Sequence, residues 1–261
     1  MEKQLNGLQL NRIYQRDCIE GMKMIPDGSV DLIIADPPYN TGEKGTKVNL
    51  KAEYGYNFFN QAWDKITDFD TFNREWIEQC YRVLKPNGSI LVYGTFHNLF
   101  SVGYFIERTG LTVRAKYEWR KKNPPPNFSG NAPHFATESI IWATKGKSRT
   151  YNLHFAKKIN GGKNIQNIIE TALTPQREKK FGKFPCQKPL ELTIKLIQLH
   201  SHKDDIILVP FCGSGSEAVA AEIVGRNFIT FEREPAYIEL ANMRLDNTNE
   251  FKMQFAHLLE D

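Results

Sequence analysis

The chain has 261 residues, of which 41% are apolar and 25% are charged, a composition that excludes a mainly disordered or fibrous protein. The length suits one large α/β domain, or one domain with an insertion. Its apolar runs are far shorter than the roughly 18–20 residues of a membrane span, and its first residues lack a secretory signal. Four widely spaced cysteines without a CxxC pair predict reduced cytoplasmic thiols, and scattered histidines predict no metal site.

Basic charge is concentrated in one stretch of the chain. Between Arg114 and Lys188 there are 16 Lys and Arg but only 4 Asp and Glu, whereas the rest of the chain is net acidic. Aromatic residues are interleaved with these basic residues. This pattern indicates a surface for a polyanion such as nucleic acid. A solvated face above core aromatics has the same composition, so charge alone leaves both interpretations open.

The first predicted elements are a short helix and a buried strand. Asp17 can cap a helix over about Cys18 to Met24. Val30 to Ala35 is predicted to be a strand, which the prolines of Asp36-Pro37-Pro38-Tyr39 end. Residues 40–62 are polar and rich in glycine, lysine and asparagine, which predicts a mobile loop.

Strands and helices are predicted to alternate along the rest of the chain. An amphipathic helix carries apolar residues at every fourth position (Phe72, Trp76, Cys80, Leu84), with Asp70 or Thr71 as its cap and Lys85 to Gly88 as its end. The further predicted elements are strands over Ser89–Tyr93, Glu138–Thr144, Asp205–Val209 and Phe228–Phe231, and helices over Pro189–His200, Ser216–Val224 and Pro235–Leu245. Such alternation favours a mostly parallel sheet.

A glycine turn follows the strand that ends at Val209. The segment Phe211 to Ala218 contains GxGxxA and opens a helix, and Glu232 stands at the end of the next strand. Glycines let the backbone approach a ligand, the helix N-terminus favours negative charge, and the acid accepts hydrogen bonds from ribose hydroxyls. The turn predicts a cofactor site, and by itself it fits either a dinucleotide such as NAD or S-adenosylmethionine.

Asp36-Pro37-Pro38-Tyr39 has the groups that methylation of an exocyclic base amine requires. The lone pair of such an amine is delocalised into the ring, and two hydrogen-bond acceptors on its N–H groups favour a tetrahedral nitrogen. The Asp36 carboxylate and the Pro37 carbonyl supply two acceptors, and the prolines fix the loop. Tyr39 offers a flat face for a base that has left its helix.

Together these two motifs resemble those of the amino-methyltransferases that act on DNA, in which Asp-Pro-Pro-Tyr is catalytic and Phe-x-Gly-x-Gly binds S-adenosylmethionine. The order of catalytic motif, basic region and cofactor motif resembles the beta class of DNA adenine-N6 methyltransferases. The resemblance spans about Ile13 to Leu245 and includes Arg16 to Cys18, Leu84 to Ser89, Gly94 to Asn98, Trp119 to Pro124, Gln187 to Pro189 and Gly225 to Ile229.

The resemblance implies an α/β fold with a Rossmann-like class I methyltransferase sheet of about seven mostly parallel strands and an antiparallel hairpin at one edge. It implies a catalytic domain from residues 1–123 and 185–250, a target-recognition insertion at 124–184, and a C-terminal tail at 251–261. It also implies that S-adenosyl-L-methionine is the cofactor.

Three sets of site residues follow from the resemblance. The catalytic set is Asp36, Pro37, Pro38 and Tyr39. The cofactor set is Asp17, Cys18, Asp36, Lys188, Phe211, Gly213, Ser214, Gly215, Ser216, Glu217 and Glu232. The DNA-binding set is Trp119 and Lys121 beside the flipped base, with Lys122, Asn123, Lys157, Lys158, Lys179 and Lys180.

The chain departs from the family pattern at the cofactor turn. Val209-Pro210-Phe211 stands where the family has Asp-Pro-Phe, and Ser216-Glu217 stands where it has two threonines. An acid is therefore missing beside the methionine part of the cofactor. We expect Glu217 to contact the cofactor ammonium in its place.

The resulting hypothesis is a site-specific DNA methyltransferase that acts on N6 of a flipped-out adenine, in a cytoplasmic protein associated with DNA. The alternative is a cytosine-N4 methyltransferase, because the exocyclic amine of cytosine presents the same chemical problem. A DNA-binding protein with a decayed site, an NAD-dependent dehydrogenase and an RNA substrate are weaker alternatives. DNA, presumed double-stranded, is the expected partner; a second copy of the chain and a cognate restriction endonuclease are further expectations, and a membrane is not.

Overall fold

The computed structural model describes residues 3–41, 61–126 and 133–259. Most of the loop predicted at 40–62, and residues 127–132 of the predicted recognition region, lie outside these ranges. The strands are β1 (Gln4–Leu5), β2 (Leu8–Gln9), β3 (Arg12–Gln15), β4 (Val30–Ala35), β5 (Leu84–Gly94), β6 (Thr112–Lys121), β7 (Thr137–Thr144), β8 (Ile168–Thr171), β9 (Ile206–Val209) and β10 (Asn227–Glu232). The helices are α1 (Cys18–Met22), α2 (Phe69–Val83), α3 (Leu99–Arg108), α4 (Leu153–Ile159), α5 (Leu190–His200), α6 (Ser216–Ile223), α7 (Pro235–Asp246) and α8 (Thr248–Gln254).

Eight strands form one sheet in the order β3-β10-β9-β4-β5-β7-β6-β8. Strand β7 is antiparallel to both its neighbours, and the other pairs are parallel. The predicted α/β class with a mostly parallel sheet is confirmed; within the described residues this sheet has eight strands, where we expected about seven. The expected hairpin is β6 and β7, but its predicted place at the edge is wrong. Strand β8 covers β6, where the Trp119 indole Nε1 donates to Thr171 Oγ1 at 2.8 Å.

Helices cover both faces of the sheet. In β4, Leu32 and Ile34 pack into the core beneath α5 and α6, whereas Ile33 and Ala35 pack into the core beneath α1, α2 and α3. Side chains of a strand alternate between faces, so a strand covered on both sides can be apolar at consecutive positions, as Leu32 to Ala35 are. This is why the continuous apolar run of β4 was recognisable as a central strand.

The predicted start and the predicted end of α2 are both wrong. The helix begins at Phe69, and the cap is Asp68, whose Oδ1 accepts a hydrogen bond from the Thr71 backbone N–H at 3.0 Å. Asp70 lies inside the first turn, where its negative charge suits the helix dipole. Strand β5 begins at Leu84 directly after the helix, so the Pro86-Asn87 segment lies in an irregular stretch of strand and not in a separate loop.

The segment predicted as an insertion contributes to the central sheet. Residues 124–184 include β7, which lies between β5 and β6, and the edge strand β8. The chain after α7 also joins the core, because Phe251, Phe255 and Leu258 are buried beside α6. Within the described ranges, none of the helices is both long and apolar enough to cross a membrane.

Candidate active site

The two sequence motifs meet at the carboxyl ends of neighbouring strands. Asp36 follows β4 and Phe211 follows β9, and these strands pair in parallel through Leu32–Ile207 and Ile33–Leu208. From β4 the chain continues through α2 to β5 on one side, and from β9 it continues through α6 to β10 on the other. Open α/β sheets bind ligands at the crevice where the strand order changes direction in this way.

Asp36 is engaged by two partners. The Tyr39 hydroxyl donates to Asp36 Oδ1 at 2.7 Å, and the Lys188 ammonium donates to Oδ2 at 2.7 Å. The Asp36 side chain keeps 20% of its surface exposed, whereas Lys188 keeps 2%. Burial raises the pKa of Asp36, and Lys188 and Tyr39 counter part of that rise. The predicted catalytic carboxylate therefore sits in an organised and largely dry environment.

Lys188 contacts the catalytic motif. It was predicted as a cofactor residue from the resemblance, and its Nζ lies 2.7 Å from Asp36 Oδ2 and 3.5 Å from Glu138 Oε2. Burial by itself would lower the pKa of Lys188, but the two carboxylates raise it above its usual value, so the side chain is an ammonium ion. Glu138 in turn pairs with Lys121 at 2.7 Å. Glu138 was not predicted from the sequence, because a single acidic residue near the start of a strand carries no local signal of a catalytic contact.

A buried carboxylate holds the backbone of the catalytic loop. Asp64 Oδ1 accepts hydrogen bonds from the backbone N–H groups of Tyr39 at 2.7 Å and Asn40 at 2.9 Å. Its Oδ2 accepts from the backbone N–H of Thr41 at 2.8 Å and from the Thr41 hydroxyl at 2.5 Å. Asp64 is 5% exposed. Sequence analysis did not identify it, since a single Asp after a loop carries no local signal of such long-range bonds.

The two glycines of the cofactor turn have left-handed backbone conformations. Gly213 and Gly215 have φ angles of 50° and 77°, which L side chains rarely adopt. A Cβ atom on Gly215 would lie 2.7 Å from Ala241 Cβ, so this glycine also lets α7 pack against the turn. The Ser216 hydroxyl donates to the Lys188 carbonyl at 2.8 Å and joins the turn to the segment before α5.

Glu232 lies at the end of β10 beside the glycine turn, as predicted. Its Oε2 accepts from the Gly213 backbone N–H at 2.8 Å, and its Oε1 accepts from the N–H groups of Arg233 at 2.8 Å and Glu234 at 3.0 Å. A carboxylate has about four acceptor sites, so one remains for a ribose hydroxyl. Asp17 caps α1 by accepting from the Ile19 N–H at 2.9 Å.

Other members of the predicted cofactor set are held in the surrounding core. Phe211 is half-buried, and its ring contacts Trp76 edge-on with the centroids 5.5 Å apart. Cys18, the first residue of α1, is 6% exposed and packs into the core beneath α1 and α2. Ser214 is 4% exposed, and its carbonyl accepts a hydrogen bond from Arg244 Nη1 at 2.6 Å.

Two buried polar side chains near the turn lack full hydrogen bonding. Glu217, the second residue of α6, is 3% exposed, and its Oε1 has no hydrogen-bond partner within the described part of the chain. Arg244 is fully buried, and its Nε and Nη2 are likewise unpartnered there. Burial, followed by the charge of Asp36, raises the pKa of Glu217 to about 7. An unpaired buried carboxylate is costly unless a ligand completes its bonding, so Glu217 fits a cofactor with a cationic group.

The predicted DNA-binding residues fall into two groups. Trp119 is 2% exposed with its indole N–H satisfied by Thr171, and the Lys121 side chain is 10% exposed and paired with Glu138. Burial of this kind leaves the Trp119 ring no free face for a base. Lys122 and Asn123 are exposed just beyond β6.

The remaining lysines lie away from Asp36 or are engaged elsewhere. Helix α4, which carries Lys157 and Lys158, contacts the last turn of α5, where the Asn152 N–H donates to the Leu199 carbonyl at 2.8 Å. Helix α5 has 11 residues, so that turn lies about 16 Å from its start near Lys188. Lys158 donates to the Leu259 carbonyl at 2.5 Å; Lys180 pairs with Glu250 in α8, and Lys179 is half-buried in the preceding turn.

Known proteins resemble the chain over nearly its whole length. The family model described as DNA methylase, which covers N6 and N4 methylases, matches residues 30–243. The Type II methyltransferase M2.MboI of Moraxella bovis is 37% identical over 252 residues, with 93% of this chain and 92% of that protein covered. The crystal structure of the M1.HpyAVI–SAM complex has a TM-score of 0.69 and 28% identity, covering 90% of this chain and 98% of that one. PvuII DNA methyltransferase, which is cytosine-N4-specific, shares the fold with a TM-score of 0.71 at 17% identity, covering 94% of this chain and 92% of that one.

These matches agree with the geometry of the crevice. A carboxylate on a proline-fixed loop faces the end of β4, and a glycine turn with a helix N-terminus and an acid lies at the ends of β9 and β10. The family match extends from the start of β4 to α7 and therefore includes both motifs and all the strands between them. The chain belongs to the DNA methylase family.

Proposed function

We propose that this chain is a site-specific DNA methyltransferase that uses S-adenosyl-L-methionine to methylate N6 of an adenine turned out of the duplex. The observation that carries the proposal is the Asp36 carboxylate at the end of β4, held by Tyr39 and Lys188 beside the glycine turn. When bound, the cofactor supplies the methyl group. The similar protein M2.MboI is named a Type II methyltransferase. Position 36 of this chain is the Asp of the catalytic motif, which favours adenine over cytosine as the target.

On one side of the crevice, residues of the catalytic motif bind and activate the target amine. Asp36 accepts a hydrogen bond from the target amine, and the Pro37 carbonyl is the second acceptor that favours a tetrahedral nitrogen. Because burial raises the pKa of Asp36, this carboxylate is also suited to receive the proton that the amine releases after methylation. Tyr39, fixed through its N–H and hydroxyl groups, presents its ring to the base.

The cofactor side is proposed to be formed by the glycine turn and three acids. Phe211, Gly213, Ser214, Gly215 and Ser216 would surround the methionine part, and Glu232 would accept hydrogen bonds from the ribose. Asp17 and Cys18, at the start of α1, would border the adenine ring. Glu217 would accept hydrogen bonds from the ammonium group, which is supported by its buried and unpartnered Oε1.

Residues 124–184 are proposed to choose the DNA sequence, although part of this segment also builds the sheet. Lys122 and Asn123 are exposed at the carboxyl end of β6 and are the candidates for contacts near the flipped base. Lys157, Lys158, Lys179 and Lys180 would contribute phosphate contacts at longer range, which set affinity and salt dependence more than sequence choice. We further propose that the chain acts on duplex DNA in the cytoplasm, pairs as a homodimer and accompanies a restriction endonuclease.

Analysis of methylated nucleosides tests the proposal. The protein is incubated with S-adenosylmethionine and unmethylated DNA of mixed sequence, and the DNA is digested and examined by mass spectrometry. N6-methyladenine is the expected product, and sequencing then identifies the site. N4-methylcytosine would keep the mechanism but change the target base. Absence of any methylated base with intact cofactor binding would contradict a function on duplex DNA.

A further inference from the structure

Each oxygen of the Asp36 carboxylate already accepts a hydrogen bond from a side chain in this structure. Tyr39 occupies Oδ1 and Lys188 occupies Oδ2, each at 2.7 Å. A further acceptor site on each oxygen is available in principle. The charge of Lys188 remains an obstacle, because the target nitrogen becomes positive as it is methylated. An ammonium ion on the same carboxylate repels that developing charge, and the repulsion is strong in a buried site.

A second acceptor for Lys188 lies within reach. Glu138 Oε2 is 3.5 Å from Lys188 Nζ, is buried, and has no hydrogen-bond partner within the described residues. A charge-assisted hydrogen bond between an ammonium and a carboxylate has a length of about 2.8 Å, so a shift of about 0.7 Å would form one. Glu138 stands at the second position of β7, and its Oε1 is already held by Lys121 at 2.7 Å.

The shift of Lys188 from Asp36 to Glu138 leaves the total charge of the buried cluster unchanged. The cluster of Asp36, Glu138, Lys121 and Lys188 has two negative and two positive groups. Lys188 on Asp36 balances the carboxylate while no substrate is present. Lys188 on Glu138 leaves the full negative charge of Asp36 for the amine, at the stage when the amine becomes positive. Burial by itself would raise the pKa of Glu138, but Lys188 and Lys121 hold it below its usual value, so Glu138 remains a carboxylate.

We propose that Lys188 is a mobile counter-ion that is bound to Asp36 in the free protein and moves to Glu138 when the target amine binds Asp36. Glu138 is then a positioning residue for methyl transfer, acting through Lys188 without touching the base. The inference rests on the proposed function and adds how the catalytic carboxylate is made available. Glu138 is placed on β7 and Lys188 before α5, so two distant segments cooperate in the exchange.

Glu138→Gln tests the exchange, because the amide keeps the shape of the side chain and removes the negative charge that attracts Lys188. On DNA with the site identified by sequencing, we expect the single-turnover rate of methylation to fall by about 10- to 100-fold. The dissociation constant of S-adenosylmethionine, measured by calorimetry, should stay within about twofold of the unmodified protein. Base flipping, measured by 2-aminopurine fluorescence at the target position, should also be retained.

The matched control is Glu118→Gln, which removes an acid from the neighbouring strand β6. Glu118 pairs with Lys116 at 2.5 Å and accepts from Ser139 at 3.1 Å, so it has a comparable environment without the contact to Lys188. Its rate should stay within about twofold of the unmodified protein. An equal loss of rate in both variants would overturn the proposal, as would an unchanged rate in Glu138→Gln.

A double-mutant cycle with Lys188→Met separates positioning from general stability. If Glu138 acts through Lys188, the Glu138→Gln change should have little further effect once Lys188 is absent. Independent effects that multiply would contradict the exchange. If Lys188→Met does not fold, as judged by its melting temperature and cofactor binding, the comparison of Glu138→Gln with Glu118→Gln still tests the exchange. Failure of the unmodified protein to methylate any base would instead refute the proposed function.

Discussion

The catalytic loop and the cofactor side of the crevice differ in how completely their polar groups are bonded. On the side of Asp36, the carboxylates of Asp36 and Asp64 accept hydrogen bonds on both oxygens from Tyr39, Lys188 and the loop backbone. On the cofactor side, the buried Glu217 and Arg244 have polar atoms without partners in the described residues. The difference indicates that the catalytic loop is organised in advance, whereas the cofactor pocket is completed by its ligand.

Asp36→Ala should have the largest effect, because it removes an acceptor on the organised side and leaves the cofactor side intact. We expect methyl transfer to fall by at least about 1,000-fold, beyond the loss typical of one electrostatic contact. Cofactor binding, measured by calorimetry, should remain within a few-fold of the unmodified protein. Retained turnover would show that Asp36 is not the group that activates the amine.

Asp64→Asn should slow methyl transfer by about 10- to 100-fold, because misplacement of a catalytic group by about 1 Å has an effect of that size. The amide nitrogen cannot accept hydrogen bonds, so the loop loses bonds at either Thr41 or at Tyr39 and Asn40. The effect should appear in kcat, with cofactor affinity unchanged.

Asp68→Asn is the matched control for Asp64→Asn. Asp68 is exposed and caps α2 through the Thr71 N–H, and asparagine is an equally good cap. Its turnover should match that of the unmodified protein. Similar losses in the two variants would attribute the effect to the wider segment and not to the bonds that Asp64 makes.

Glu217→Gln tests the cofactor side, where hydrogen bonding is incomplete. It should weaken S-adenosylmethionine binding by about tenfold, because one charge-assisted contact is lost. The raised pKa of about 7 predicts that a cationic ligand binds more tightly as the pH increases toward 7, because the carboxylate must first lose its proton. Glu217→Gln should remove this dependence. Calorimetry between about pH 5.5 and 7.5 avoids deprotonation of the cofactor amine, which has a pKa near 8.

Stability of the cofactor-free protein gives a second measurement on Glu217. Its pKa is higher in the folded chain than the ordinary value of 4.5, so the unfolded chain loses the proton first. The cofactor-free protein therefore loses stability as the pH rises from 4.5 to about 7, and the loss is complete above that. Glu217→Gln should raise its melting temperature at pH 8 by several degrees. Glu239→Gln, at an exposed position of α7, is the control and should have little effect. An unchanged melting temperature for Glu217→Gln would contradict an unpaired buried carboxylate.

The smallest effect is expected for the lysines far from the crevice. Replacing Lys157 and Lys158 with alanine should weaken DNA binding a few-fold at most and lower its dependence on salt concentration, without altering the methylated sequence. Lys122→Ala, at the carboxyl end of β6, should weaken binding more strongly. Binding titrations at several salt concentrations distinguish the two, and the reverse order would move the DNA surface to the α4 side of the molecule.

Local patterns in the sequence determined the class of fold and the two motifs. An apolar run that ends at Asp36-Pro37-Pro38-Tyr39 identified β4, and a glycine pair between a strand and a helix identified the cofactor turn, because backbone conformation at these positions depends on nearby residues. The family resemblance came from the same motifs and their order. Strands such as β3 and β8 were missed, since they are only four residues long and carry little periodicity.

Tertiary structure alone decided the partners of the catalytic loop. Lys188 and Asp64 reach the loop from separate segments of the chain, and Glu138 lies beside Lys188 from a third. No local pattern in the sequence specifies such contacts. Burial also changed the interpretation of Trp119, whose indole is enclosed when β8 pairs with β6. The charge and hydrogen bonding of a polar side chain depend on what the fold brings beside it and on how much water the fold removes, and these are properties of the packed molecule.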